Sequence, residues 1–307
     1  LSEEQRNNSF FKGFVLYNPE TKKEIINFHG DDYFTPASNT KLFTFYTAYK
    51  SLKDSVKSLE YYKTSDSLII KGTADPTLLV KQEDLRVIDF LKNETAPIYL
   101  VDAQIEEKAF GRGWAWDDYQ DYYQPEMSLL PLYGNILSYE VTSDSVSSRP
   151  SYFEKNISLV DSLKITRKFH RNDFYAQRGE NELYEVPFKT SVKLSAELLG
   201  EILDKSIQII PDKAYPFQSL YGISYDSIYK KMLTVSDNFI AEQLLLQVGK
   251  ELTGKYSVQA AIDYSLEHYL SDLPQKPRWV DGSGLSRYNL FTPESMVYLL
   301  DKLYQEI

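Results

Sequence analysis

The middle of this chain reads differently from its two ends, and that contrast limits the architectures open to it. From about Tyr61 to Pro187 the apolar residues come in short β-type runs, Ser67–Lys71, Ile98–Asp102, Ile136–Thr142 and Ile157–Thr166, set apart by clusters of Gly, Pro, Asp and Ser. After Pro187 they recur at three- and four-residue spacing in Val192–Leu203, Ser227–Met232, Phe239–Leu252, Val258–Leu270 and Pro293–Tyr304, the pattern of helices with one buried face. Before the β-type stretch, Phe10–Tyr17 and Glu24–Phe28 flank the turn formers Asn18 and Pro19 and predict a hairpin. A helix start is expected at Thr35-Pro36-Ala37-Ser38, with Thr35 as cap and Pro36 in the first position.

A β-rich segment thus interrupts a helical frame. At 307 residues the chain exceeds the usual size of one domain. The expected division is a discontinuous unit of residues 1–60 and 188–307 and a β-rich insertion at 61–187, with a nested subdomain at 142–187. The fold class expected is α+β.

Composition removes several function classes. The net charge is −10 and no Lys/Arg cluster forms a phosphate-tracking stripe, so nucleic acid and anionic membrane surfaces are not expected partners. The longest apolar runs, Leu129–Leu132 and Leu244–Val248, fall well short of the roughly 20 residues that span a bilayer. There is no cysteine, which excludes disulfides, thiolate metal sites and a cysteine nucleophile. The chain begins at Leu1 rather than Met, as expected of a processed chain or a trimmed one.

Chemistry concentrates at two places. Ser38-x-x-Lys41 puts a hydroxyl and an amine three residues apart at a helix start, on one face and within mutual reach. A serine needs a base to become a nucleophile, and a lysine serves only if burial or neighbouring cations lower its proton affinity. Ser227 and Lys230 share that spacing, with no strand pair before them. The second place is Ser236-Asp237-Asn238, between two helical segments, where a hydroxyl and a carboxamide can be presented together. There Ser236 or Asp237 also suits the cap of the next helix.

Other constellations lack support. His29, His170 and His268 are scattered, so neither a Ser-His-Asp triad nor a zinc site is indicated, and no metal is expected. Asp31-Asp32 and Asp117-Asp118 read as solvated surface, and Trp114 and Trp116 as the edge of a core.

Ser-x-x-Lys followed by Ser-Asp-Asn is the ordered signature of penicillin-binding proteins and serine β-lactamases. The long separation of Lys41 from Ser236 resembles, within that group, the DacB-type D-Ala-D-Ala carboxypeptidase/endopeptidase family, in which a domain is inserted between the two motifs. Further segments resemble it in the same order: Pro36 to Leu42, Gly72 to Leu78, Gly113 to Asp118, Met232 to Asn238 with Ala241-Glu242, and Asp281 to Arg287.

The resemblance implies a catalytic domain of helices packed on a mainly antiparallel sheet. It further implies Ser38 as nucleophile, Lys41 as general base, Ser236 as proton relay and Asn238 as ligand of a substrate amide. Peptidoglycan peptides would be the substrate and β-lactams the inhibitors, outside the cytoplasmic membrane, with no metal or organic cofactor. Asp281-Gly282-Ser283-Gly284 would be a tight loop near the cleft.

One part of the family pattern is missing. No Lys-Thr-Gly occurs, and Lys189-Thr190-Ser191 has the wrong order and position. The resemblance therefore implies that this sequence lacks the C-terminal strands of the catalytic domain, and with them one oxyanion donor, worth roughly 100- to 1000-fold in rate. A β-lactamase and a non-catalytic cell-wall binding or sensor homologue stay open as alternatives.

Overall fold

The computed structural model describes residues 11–80, 85–142, 145–179 and 181–307. The expected strand start at Phe10 lies outside them. The chain opens with an antiparallel hairpin of β1 (Phe14–Asn18) and β2 (Lys23–Phe28), turned by Asn18, whose side chain accepts the N–H of Glu20 and Thr21. After the hairpin a 3-10 turn at Ala37–Asn39 leads into α1 (Thr40–Ser51).

Next comes a five-stranded sheet whose members are gathered from distant parts of the sequence. β3 (Ser55–Lys63) pairs antiparallel with β4 (Leu68–Lys71), and β4 pairs parallel with β5 (Ile98–Asp102) after the short helix α2 (Arg86–Lys92). Both faces are covered, and the period-two alternation of side chains sorts them between two cores. Leu68, Ile70 and Leu100 enter one core, whereas Ile69 and Val101 enter the other. That double burial is why these strands read as continuous apolar runs.

A smaller sheet carries β6 (Ile136–Thr142) at its centre, with β7 (Ser145–Arg149) on one side and β10 (Glu182–Pro187) on the other. Between them lie β8 (Ile157–Val160) and β9 (Phe174–Gln177), a parallel pair. The expected strand Ile157–Thr166 is therefore shorter, because Asp161, Ser162 and the residues after them leave the ladder. Leu137, Tyr139, Val141, Tyr184 and Val186 fill the core under this sheet.

α3 (Val192–Leu203) is capped by Ser191, which accepts the N–H of Leu194. It adds Leu194, Leu198, Leu199 and Leu203 to the same core as the small sheet. β11 (Ile207–Pro211) then pairs with β5, and β12 (Gln218–Ser224) with β3, forming the two edges of the five-stranded sheet. Residues 188–224, assigned to the helical frame by their periodicity, thus pack with the sheets. The polar surface of α3 hides this in sequence, and β11 and β12 were not read as strands.

The remaining helices are α4 (Tyr225–Val235), α5 (Asn238–Thr253), α6 (Val258–His268) and α7 (Pro293–Glu306). Phe43 and Tyr46 of α1, Met232 of α4, Leu244, Leu245 and Val248 of α5, Ile262 of α6 and Leu299 of α7 meet in one core. α5 is its axis, with eleven consecutive buried residues from Phe239 to Gly249. The hairpin lies against α7, where Lys22 pairs with Asp301 at 2.9 Å. No described helix is long and apolar enough to cross a membrane.

Candidate active site

The turn that presents Ser38 is held from behind. Ala37 has φ +48°, and its carbonyl accepts the Thr40 hydroxyl at 2.9 Å. Gly284, at φ +86°, lies so close that a Cβ there would overlap the Ala37 carbonyl. Only glycine satisfies both the backbone conformation and the approach. The expected cap at Thr35 is not formed, because neither the turn nor α1 has a side-chain cap; the turn is closed by Asn39 N–H on the Pro36 carbonyl at 3.2 Å.

Ser38 is exposed, and Lys41, one turn on, is 2% exposed. The Lys41 ammonium has three N–H groups, and three acceptors surround it. They are Ser38 Oγ at 3.2 Å, Asn238 Oδ1 at 2.6 Å and the Ser283 carbonyl at 2.7 Å. Burial pulls its pKa down from 10.5 to about 8, and Glu242, Asp281 and Asp237 oppose that fall without cancelling it.

Asn238 opens α5 and makes two side-chain contacts, accepting from Lys41 with Oδ1 and donating through Nδ2 to the Tyr123 carbonyl at 3.0 Å. Those contacts fix which way its amide faces. Asp237 is the cap of α5, accepting the Ile240 N–H at 3.0 Å. Ser236, exposed and at φ +56°, ends α4 and makes no side-chain hydrogen bond among the described residues. Ser38, Lys41 and Asn238 are therefore brought into contact, while Ser236 only shares their cleft.

That cleft has a volume of about 720 Å³. The helical side contributes Ser38, Lys231, Ser236 and Asn238, and the small sheet contributes Ile136, Ser138 and Glu185 from its outer face. Tyr122 and Tyr123 lie along it. Such a volume falls in the range of ligand pockets.

Ser227 and Lys230, with the same spacing, are both exposed on α4, whereas Lys41 is buried. His29 pairs with Asp32, and neither His170 nor His268 contacts Ser38. Among the described residues no group of three His, Cys, Asp or Glu side chains could hold a metal ion.

Two groups central to this geometry were given no role by sequence reasoning. Glu242, buried on α5 one turn beyond Asn238, accepts the N–H of Gly282 and Ser283 at 3.1 and 2.7 Å. Its pKa is raised by burial and by the nearby Asp281 charge. Asp281 accepts from Gly284 N, Ser286 N, Asn289 Nδ2 and Trp114 Nε1. Trp114, read as a core edge, is thus tied to the glycine loop. The four-residue spacing of Asn238 and Glu242 on an otherwise apolar helix face was the available signal.

The D-Ala-D-Ala carboxypeptidase 3 (S13) family matches residues 4–167 and 217–306, most of the chain. The chain belongs to this family.

Among its relatives, penicillin-sensitive carboxypeptidase A of Dictyostelium discoideum is 24% identical over 89% of the chain and 64% of that protein. D-alanyl-D-alanine carboxypeptidase DacB of Haemophilus influenzae is 21% identical over 94% of the chain and 70% of that protein. The chain thus spans about two thirds of the length of these relatives. The crystal structure of penicillin-binding protein 4 (DacB) from Haemophilus influenzae superposes with a TM-score of 0.77 at 19% identity, covering 95% of this chain and 75% of that one. A structure of the same protein complexed with a β-lactam gives 0.67 at 18% identity, over 95% of this chain and 74% of that one. The α+β fold read from the sequence is the fold of these structures.

Proposed function

We propose that this S13 family member is a serine D-Ala-D-Ala carboxypeptidase/endopeptidase acting on peptidoglycan peptides through an acyl-enzyme on Ser38. The observation that carries this reading is the placement of the Lys41 amine. When Lys41 loses one proton, its two remaining N–H groups stay with Asn238 Oδ1 and the Ser283 carbonyl, which can only accept. The lone pair is then left facing Ser38 Oγ at 3.2 Å.

In the proposed reaction Ser38 Oγ attacks the carbonyl carbon of the penultimate D-Ala and its proton passes to Lys41. The C–N bond breaks, and the leaving D-Ala nitrogen takes a proton handed on from Lys41 through the Ser236 hydroxyl. Asn238 binds the substrate amide next to the scissile bond, and water then hydrolyses the ester. β-Lactams acylate Ser38 by the same attack on their ring carbonyl.

The inserted unit, which we propose runs from 55 to 224, forms the second wall of the cleft through Ser138 and Glu185. The compartment that goes with this substrate lies outside the cytoplasmic membrane. Release of D-Ala from a peptide ending in D-Ala-D-Ala tests the proposal: the wild-type protein releases it and Ser38→Ala does not. Equal release by both would reject Ser38.

A further inference from the structure

The loop opposite Lys41 is pinned one peptide unit at a time. In the unit joining Asp281 to Gly282, the carbonyl accepts from Trp279 Nε1 at 2.7 Å and the N–H donates to Glu242. In the next, the Gly282 carbonyl accepts the Thr44 hydroxyl at 2.7 Å and the Ser283 N–H donates to Glu242. In the third, the Gly284 N–H donates to Asp281 at 2.9 Å and the Ser283 carbonyl meets Lys41 Nζ. Because a trans peptide points its N–H and C=O in opposite directions, fixing the first two units and the N–H of the third aims that last carbonyl at the amine.

Glu242 holds two of these three units and is 1% exposed. It also starts from the same helix as Asn238, so one rigid element carries both the carboxamide that touches Lys41 and the carboxylate that fixes the loop touching it. We propose that Glu242 is a positioning residue for the Ser38 reaction: by clamping Gly282 and Ser283 it sets the Ser283 carbonyl against Lys41. This rests on the reading of Ser38 and Lys41 as nucleophile and base.

Three acidic side chains face Lys41. They are Glu242 within α5, Asp237 at its start and Asp281 in the loop. Asp237 is itself 3.6 Å from Lys231 of α4. Glu242 is the one of the three acids that clamps Gly282 and Ser283.

The test measures acylation of the protein by a fluorescent penicillin from about pH 5.5 to 9.5, a range that brackets the titration of the base. Wild type, Glu242→Gln and Glu242→Asp are compared, with thermal melting to show that each is folded. Glu242→Gln turns an amide NH2 toward one of the two loop N–H groups and so releases the Ser283 carbonyl from Lys41; with one acceptor fewer the ammonium gives up its proton at lower pH, and acylation near pH 6, relative to the variant's own plateau, rises at least about threefold over wild type. Glu242→Asp keeps both acceptor oxygens but shortens the reach, so the loop is held loosely and the plateau falls on the order of 10- to 100-fold.

A profile in Glu242→Gln that coincides with wild type overturns the proposal. If Glu242→Gln does not fold, Glu242→Asp decides, and a wild-type plateau overturns it. A wild-type protein that forms no adduct removes the nucleophile reading and this inference together; an adduct with unmoved variants removes this inference alone.

Discussion

Lys41 Nζ lies 2.6 Å from Asn238 Oδ1, a contact that joins positions 197 residues apart and closes the two motifs around one amine. A carboxylate in that place would change the chemistry in a defined direction. Asn238→Asp adds a negative charge beside Lys41, raises its proton affinity and moves the acid limb of Ser38 acylation to higher pH. At neutral pH we expect acylation to slow by about 10- to 100-fold, with partial recovery at alkaline pH. Stopped-flow acylation across pH measures both effects.

The depressed proton affinity of Lys41 has a consequence for stability. The folded pKa is about 8 and the ordinary value 10.5, so between them the unfolded chain binds more protons and stability rises with pH. The cost of burying the ammonium is fully present below the folded value and gone above the unfolded one. Lys41→Met lacks this dependence. Urea unfolding at both ends of the window should show wild type gaining on the variant by up to about 3 kcal/mol.

Gly284 tests the support behind the nucleophile. Gly284→Ala places a methyl group on the Ala37 carbonyl at a backbone conformation that disfavours any side chain. We expect a loss of at least roughly 1–3 kcal/mol in stability, together with slowed acylation because the Ser38 turn is displaced. A melting temperature equal to wild type would show that the two backbones can separate freely.

Ser236 offers a contrast. Its hydroxyl has no partner among the described residues, so Ser236→Ala should change stability by no more than about 0.5 kcal/mol. If it relays a proton, D-Ala release nevertheless falls on the order of 100-fold. Calorimetry and the release assay together separate a relay from a bystander.

The sequence revealed the elements whose periodicity survives burial on one face. Val192–Leu203 and Ile136–Thr142 match their observed bounds, and the helices after Ser224 differ by a few residues at their ends. β11 and β12 escaped notice because their side chains alternate only weakly between exposed and half-buried. Of the site, Ser38, Lys41 and Asn238 could be read from spacing and motif order. Glu242 and the Ser283 carbonyl were not: the one offered only its four-residue spacing from Asn238, since its partners are backbone N–H groups, and the other is a main-chain atom that no side-chain pattern encodes.

The central claim is that Ser38 is the nucleophile and Lys41 its base. Incubation with a fluorescent penicillin, followed by denaturing electrophoresis and peptide mapping, tests it most directly. The account predicts one covalent adduct per chain, located on the peptide containing Ser38, absent in Ser38→Ala and formed at least about 100-fold more slowly in Lys41→Met. An adduct on Ser227 or another residue, or undiminished labelling of Ser38→Ala, would contradict it.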